Sequence, residues 1–498
     1  MSHSKLFAVG LMASPGGGED DRVCVMLDNQ WHFVAALFGC AASGRLIVPV
    51  NTALKRAQLA HIIKDASPST FVVGSPYLAG LMQAVEPGDS VRNIVVVPDW
   101  PATVSVTENH AGGGKQVIDY GEFVARGSTV GGWNAVAARP ETPMMILYTS
   151  GTTGASKGIV YCHRSALWFS SAAIYAIGIR SDDVFHTCLP LFHANALLCT
   201  LLAGVMAASR SVVTPRFSLS GYWRDVSECG ASLTSMVGSM PALLWQAPWR
   251  VAERAHSLRV IYTAPMPQNR VDFERRFSAA LVTTYGLTDA SILTASRVDD
   301  AGRGGSCGRA LDDWEVRVVD DGDEAVPAGQ SGELVARPRL PYIGGLGYWR
   351  NAEATAAAWR NLWYHTGDLM RQDERGYFYF LDRKKDSIRK AGENISSLEV
   401  EDVVRRFPRV RDVAVFAVPS PLGEDDVMAL VIAEGEDDLD FEDMRAYCRE
   451  HLPYFAVPRY WERADELPRT ETLRVRKTEL RSRGVTGGTW DSGPVRRG

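Results

Sequence analysis

The run Tyr148-Thr149-Ser150-Gly151-Thr152-Thr153-Gly154-Ala155-Ser156-Lys157-Gly158 gathers hydroxyls, glycine amides and one lysine into a single short stretch. It directly follows the apolar Met144-Met145-Ile146-Leu147, which reads as a strand. Donors packed this densely can cradle an anion, and Lys157 adds a compact positive charge. The pattern is not that of an ordinary phosphate loop. Ser156 stands where the last glycine would have to be, and Gly158 follows the lysine in place of Ser or Thr. A plain surface loop is the weaker reading, because so glycine-rich a run is costly to order beside an apolar strand. Taken singly, His193 would be a satisfied core histidine and Asp382-Arg383-Lys384-Lys385-Asp386 a solvated turn.

The elements that must carry these residues alternate between short β-branched runs and longer stretches of helical period, which is the pattern of α/β layering. Val23–Leu27, Leu46–Val50 and Thr70–Val73 read as strands, with helices over Trp31–Ala42 and Leu54–Asp65 between them. That order predicts a parallel sheet with right-handed crossovers. The rhythm returns at Ser211–Val213, Ser232–Val237 and Val260–Tyr262. From about Cys307 short strands and turns take over, at Trp314–Val319, Gly332–Ala336 and Tyr377–Leu381, as in a small antiparallel subdomain. A further unit follows: helix Ser397–Phe407, strands Asp412–Val418 and Val427–Ala433, and helix Phe441–His451. The expected organisation is a large α/β domain over 1–382, a hinge at 383–386, a small mobile α+β domain over 387–483 and a frayed Gly/Arg-rich tail over 484–498.

Composition bounds the function classes. With 498 residues, 46% hydrophobic and 22% charged, the chain has ample material for more than one domain. A net charge of −5 gives no reason to expect nucleic acid as a partner, and the basic Arg383-Lys384-Lys385 is offset by Asp382 and Asp386. The eight cysteines contain no C-x-x-C pair and read as buried small hydrophobes rather than a zinc site or disulfide framework. The apolar Leu6–Ala13 runs into Pro15-Gly16 and reads as the tail of a helix, not a secretory signal. Phe33–Val50 is interrupted by Gly39, Gly44 and Arg45. No membrane association and a cytoplasmic location are expected.

The Tyr148–Gly158 run closely resembles the phosphate-binding signature of the adenylate-forming superfamily, which spans acyl-CoA synthetases, luciferases and peptide-synthetase adenylation domains. The usual proline before the lysine is Ser156 here. Further matches follow in the family's order over nearly the whole chain. The resemblance implies that Thr149, Ser150, Gly151, Thr152, Thr153, Gly154 and Lys157 hold the phosphates. Leu189-Pro190-Leu191-Phe192-His193 resembles the segment whose histidine borders the acyl pocket and thiol tunnel, and Thr263-Ala264-Pro265-Met266 the loop along the adenine. Tyr285-Gly286-Leu287-Thr288-Asp289 is similar to the signature in which the tyrosine stacks on adenine, the threonine touches the α-phosphate and the acid holds Mg²⁺. That acid is usually Glu, and Asp289 is one methylene shorter. Trp363-Tyr364-His365-Thr366-Gly367-Asp368 resembles the element whose aspartate binds the ribose, a task suited to a carboxylate that can accept from two vicinal hydroxyls. The resemblance also makes Arg383 a nucleotide contact, Lys385 the hinge, and Gly392-Glu393-Asn394 the loop that completes the thiol tunnel. Small residues at Gly238, Ser239, Ala290 and Ser291 suggest a roomy acyl pocket and a bulky, largely apolar acid.

One departure matters most. Near its end the family carries P-x-T-x-x-G-K, then a basic residue and a leucine at intervals of three. Pro468, Thr470, Lys477 and Leu480 fall in register, which places Leu473 on the glycine and Arg474 on the lysine of the adenylation step. A broad planar guanidinium is no simple replacement for an ammonium, and one lost preorganised contact typically costs ~10² to 10³ in rate. The expectation is an acyl-CoA synthetase relative that uses AMP chemistry, CoA and, with ATP, Mg²⁺. It would chiefly convert acyl-AMP to the thioester, with a partner enzyme supplying the adenylate. The alternatives are a complete ligase with slow adenylation, aided by Arg474 or a shifted Lys477, and a non-catalytic binder of acyl-adenylates.

Overall fold

The computed structural model describes residues 3–14, 21–98, 110–111, 114–128, 134–149, 156–238, 240–298, 300, 304–384, 388–390, 393–420, 425–435, 439–470 and 475–493. The chain forms two compact units, Met1–Glu315 with Arg337–Tyr364, and Val316–Ala336 with His365–Gly498.

The first unit is built on parallel sheets, as the alternating pattern predicts. One sheet has eight strands in the order His110–Ala111, Lys115–Asp119, Asn93–Val97, Thr70–Gly74, Arg22–Met26, Leu46–Pro49, Pro143–Tyr148 and Gly158–Cys162. Its interior pairs are parallel and its two outermost pairs antiparallel. Val23, Cys24, Val25, Ile94, Val95 and Val96 are fully buried. Consecutive buried residues of this kind belong to strands covered on both faces, which is why they read as unbroken apolar runs. A second sheet, wholly parallel, runs Arg210–Val213, Val184–Thr187, Leu233–Val237, Val260–Ala264 and Ala280–Val282. A three-stranded antiparallel sheet of Thr284–Leu287, Ser291–Ala295 and Arg309–Ala310 follows.

In the second unit Phe378–Arg383 pairs antiparallel with Asp368–Gln372. A short hairpin, Ile388–Lys390 with Glu393–Ile395, leads into helix Ser397–Arg405. The unit also holds helices Phe441–His451 and Lys477–Arg483 and a sheet of Val410–Pro419, Asp425–Ala433, Tyr460–Arg463 and Trp490–Asp491. Val413, Val415, Val427, Val431, Met444 and Trp461 form its core.

Three features depart from the sequence pattern. The expected frayed tail is ordered from Gly484 to Gly493. Trp490–Asp491 adds a strand to Tyr460–Arg463, Trp490 packs on the core, and Asp491 pairs bidentately with Arg459 at 2.8 and 2.9 Å. Asn195–Leu202 is π-helical, a widened turn that apolar periodicity does not signal. All eight cysteines are free as expected, but Cys229 and Cys307 are only half-buried. No helix among the described residues is long and apolar enough to cross a membrane.

Inside the second sheet His186 is wholly buried, with Nδ1 3.0 Å from Thr234 Oγ1 and Nε2 3.1 Å from Thr214 Oγ1. Burial pushes its pKa down to about 4, against a weaker upward pull from Asp225. An imidazole that stays neutral when folded but titrates near 6.5 when unfolded stabilises the fold fully above that pH and loses the contribution as pH falls toward 4. The urea midpoint of the wild type should therefore drop between these values, and the His186→Gln variant should show a shallower slope, by up to about 1.4 kcal/mol per pH unit. Equal slopes would remove His186 from the acid transition.

Candidate active site

Antiparallel pairing of Pro143–Tyr148 with Gly158–Cys162 brings the two ends of the phosphate-loop run together. Thr149 N donates to Lys157 O at 3.0 Å, and Ser156 Oγ donates to Thr149 O. Ser156 O lies 2.8 Å from His61 Nε2. The segment closed by these contacts, with Ser150, Gly151, Thr152, Thr153 and Gly154, lies outside the described residues. Gly158 is needed for the closure: a Cβ there would sit 2.6 Å from Ile146 Cγ2 and 3.0 Å from the Tyr148 ring. Lys157 Nζ rests 5.1 Å above the Tyr348 ring.

Tyr348 links that lysine to Asp289. The hydroxyls of Tyr348 and Tyr364 hydrogen-bond with the Asp289 carboxylate and with each other. Burial and the nearby carboxylate push Tyr348 up to about 12 and Tyr364 well above the usual phenol range. Tyr161, itself fully buried, donates to Thr288 O at 2.8 Å. Glycines let the chain pack this closely: a Cβ on Gly345 would lie 2.7 Å from Asp289 O, and one on Gly344 2.7 Å from Ala290 O. Gly286 is likewise obligatory, since its Cβ would meet Ser291 O at 2.2 Å. Tyr285 is half-buried on the strand opposite Thr294, and Ala290 and Ser291 are buried. The three tyrosines around Thr288 and Asp289 carry no motif of their own. Tyr364 sits inside the Trp363–Asp368 match, and the Gly344-Gly345 pair is the only sequence signal near Tyr348.

Gly238 and the Thr263-Ala264-Pro265 turn adjoin at the C-terminal ends of two parallel strands, where ligands bind open α/β sheets. Gly238 N donates to Ala264 O at 3.0 Å with a φ of 59°, and Thr263 Oγ1 donates to Pro265 O at 3.1 Å across a cis Ala264–Pro265 bond. Ser239 lies outside the described residues. His193 is half-buried, edge-on to Phe192 at 4.7 Å, and its carbonyl accepts from Leu197 N at 3.0 Å where the π-helical turn begins.

In the second unit Asp368 and Arg383 face each other across the strand pair, with Arg383 Nε 2.9 Å from Asp368 Oδ1. The carboxylate is only 1% exposed, and Thr366 Oγ1 accepts from Asp368 N at 3.1 Å. Asp382 accepts from Arg383 N at 2.8 Å and from both N and Oγ of Ser397. Lys477 Nζ donates to Ser397 Oγ and pairs with Glu401 at 2.7 Å, while Glu401 also accepts from Val415 N at 2.8 Å. Lys385, Gly392, Leu473 and Arg474 lie outside the described residues; Glu393 and Asn394 belong to the second strand of the hairpin.

The donor set suits a nucleotide with a hard cation carried by its phosphates. Among the described residues no group of three or more His, Cys, Asp or Glu side chains could cage a metal. Asp289 offers a single carboxylate beside the Tyr348 and Tyr364 hydroxyls, and Mg²⁺ is commonly held by one or two carboxylates plus substrate phosphates.

Lys477 is sealed into a buried pair, so its loss should act on stability. Lys477→Met strands Glu401 without its cation and should cost about 3–5 kcal/mol, while Lys477→Met with Glu401→Met should recover most of it. Urea unfolding of the three proteins measures this, and an unchanged single variant would return Lys477 to the pool of mobile cations.

The model of the AMP-binding enzyme family matches residues 1–349, and that of the AMP-binding enzyme C-terminal domain matches residues 399–473. The crotonobetaine/carnitine–CoA ligase of Salmonella typhimurium is 28% identical over 477 residues, covering 95% of this chain and 90% of that one. The o-succinylbenzoate coenzyme A synthetase of Bacillus subtilis, solved with AMP, superposes with a TM-score of 0.79 at 24% identity, over 96% of this chain and 91% of that one. A benzoate CoA ligase from Burkholderia xenovorans gives a TM-score of 0.82 at 21% identity, over 96% and 93%. The chain thus belongs to the AMP-binding enzyme family, in the acyl-CoA synthetase branch of the adenylate-forming superfamily, whose enzymes use ATP or AMP, coenzyme A and an acyl-AMP intermediate.

Proposed function

We propose that this enzyme passes the acyl group of an acyl-AMP to CoA, and that its own adenylation step is weak because Arg474 stands at the lysine position of that step. The observation that carries the reading is the engagement of Lys477. It is the only lysine between Pro468 and Leu480, and Glu401 and Ser397 hold it inside the small unit. That leaves Arg474 as the cation for the departing pyrophosphate, with a fork poorly matched to the work of a compact ammonium.

In this reading Asp368 accepts from the ribose hydroxyls while Arg383 holds its carboxylate and reaches the nucleotide. Tyr285 stacks on the adenine, Thr263–Pro265 lines it, and Thr288 touches the α-phosphate. Thr149, the 150–154 loop and Lys157 hold the phosphates. When ATP is the substrate, Mg²⁺ on Asp289 would neutralise phosphate charge. His193 and the loop at Gly392, Glu393 and Asn394 border the thiol path, with Lys385 as the hinge. The thiolate sulfur bonds to the acyl carbon, the bond from that carbon to the phosphate oxygen breaks, and AMP departs with the electron pair. A partner adenylating enzyme would supply the acyl-AMP. Small residues at Gly238, Ser239, Ala290 and Ser291 favour a bulky, largely apolar acid, and two structural relatives bear the names of aromatic acids, benzoate and o-succinylbenzoate.

The decisive assay separates the half-reactions: ATP with a panel of acids for pyrophosphate release, and synthetic acyl-adenylates with CoA for thioester. Wild type should give thioester from adenylates with little acyl-AMP from ATP. Arg474→Lys should raise acyl-AMP formation by ~10² to 10³ and leave the thioester rate unchanged. Equal acyl-AMP rates in the two proteins would make this a complete ligase that tolerates arginine.

A further inference from the structure

The hairpin of Ile388–Lys390 and Glu393–Ile395 has three residues in each strand, with Lys390 paired to Glu393 across the turn. An isolated two-stranded hairpin of this size is marginal in water, so what it packs against fixes its place. Ile388 and Ile395 anchor the base in the small unit's core, at 0% and 4% exposure. The other end has an ionic anchor. Lys390 Nζ lies 2.9 Å from Asp426 Oδ1, and the second oxygen of the same carboxylate lies 2.9 Å from Arg459 Nη1. Arg459 then pairs bidentately with Asp491 on the terminal strand. Asp426 is buried between two cations, and Asp491 balances the second of them. The Asp491 carboxylate, reinforced by Asp426, raises Arg459 above its ordinary range.

We propose that Lys390, Asp426, Arg459 and Asp491 form a positioning set that holds the thiol-tunnel hairpin in register for the transfer of the acyl group to CoA. The inference rests on the proposed role of Gly392, Glu393 and Asn394, and adds to it four residues outside every motif match. None of the four touches substrate. Asp426 fixes Lys390, the last residue before the turn; Arg459 fixes Asp426; and Asp491 keeps Arg459 from leaving for solvent. The terminal strand thereby gains a function: it delivers the carboxylate that closes the series. Because the set lies within the small unit and includes none of the phosphate, ribose or Asp289 residues, losing it should weaken the thioester step while acyl-AMP still binds.

The test uses the full chain with benzoyl-, octanoyl- and acetyl-adenylate as acyl donors and CoA as acceptor. Wild-type thioester formation from at least one donor comes first; its absence would remove the proposed function and this inference with it. Given that activity, Asp426→Asn and Lys390→Met should each lower kcat/KM for CoA by roughly tenfold to a hundredfold, the scale set by a misplacement of about 1 Å. The dissociation constant of the acyl-adenylate, read by tryptophan fluorescence, should stay at the wild-type value. The double variant should be no worse than the weaker single one. Asp491→Asn, at the surface and safe for folding, should show a smaller loss in the same parameter, increasing with salt. Wild-type kcat/KM for CoA in Asp491→Asn and Lys390→Met would overturn the inference. So would equal losses in CoA use and adenylate binding, which are the mark of general destabilisation.

Discussion

A carboxylate withdrawn from water costs several kcal/mol unless cations or hydrogen-bond donors meet it at short range. The second unit is organised around this requirement. Among its described residues it buries Glu333, Asp368, Asp382, Glu401, Asp426 and Glu462. Each is answered locally: Lys384 and Gly367 N on Glu333, Arg383 on Asp368, Ser397 on Asp382, Lys477 on Glu401, Lys390 and Arg459 on Asp426, Arg483 on Glu462. The apolar core of valines and Trp461 makes the unit compact, but these pairs fix how its short pieces meet. Asp382 ties the end of Phe378–Arg383 to the start of helix Ser397–Arg405, and Lys477 ties that helix to Lys477–Arg483. The candidate ribose carboxylate belongs to the same scheme, so it is placed by the framework rather than by a mobile loop.

The first unit treats its candidate site differently. Asp289 is met by the phenol hydroxyls of Tyr348 and Tyr364. A neutral phenol leaves the negative charge of a carboxylate in place, whereas a lysine or arginine at the same distance would cancel it. Lys157 Nζ rests 5.1 Å over the ring of Tyr348. A site with an acidic and a basic group beside one aromatic ring suits a ligand that itself carries phosphates and a cation.

Much of this could be read along the chain. Buried parallel strands appear as unbroken β-branched runs, and helix Phe441–His451 announces both its ends. Asp440 caps it, accepting from Glu442 N and Asp443 N, and Arg449 and His451 stand in its last turn. The Tyr148–Gly158 run stands out because its hydroxyls, glycines and lysine are contiguous in the chain. The tyrosines around Asp289 are not, since their partner lies far away in sequence and only the fold brings them together. The ordered terminus escapes for the same reason. Nothing in Gly484–Gly493 shows that Arg459 waits for Asp491, or that the core has a place for Trp490. The Arg459 pairing and Trp490 packing outweigh the local preference for a frayed end.

The departure at position 474 acquires a physical logic from its surroundings. The ends of its segment are joined by backbone: Arg476 N donates to Pro468 O at 2.8 Å, and Arg469 bridges to Val475. Beyond it Lys477 is committed to Glu401, and Leu480 is buried in the small unit. These four anchors fix the two ends of the segment. The contacts on either side of position 474 are thus made by other residues, and under the proposed function an exchange there acts on adenylation. Lys477 is in the opposite position, because a buried glutamate depends on it. In the proposed reading the lysine retained in the signature is the one that answers a buried glutamate, and the position that carries arginine is the one that serves adenylation.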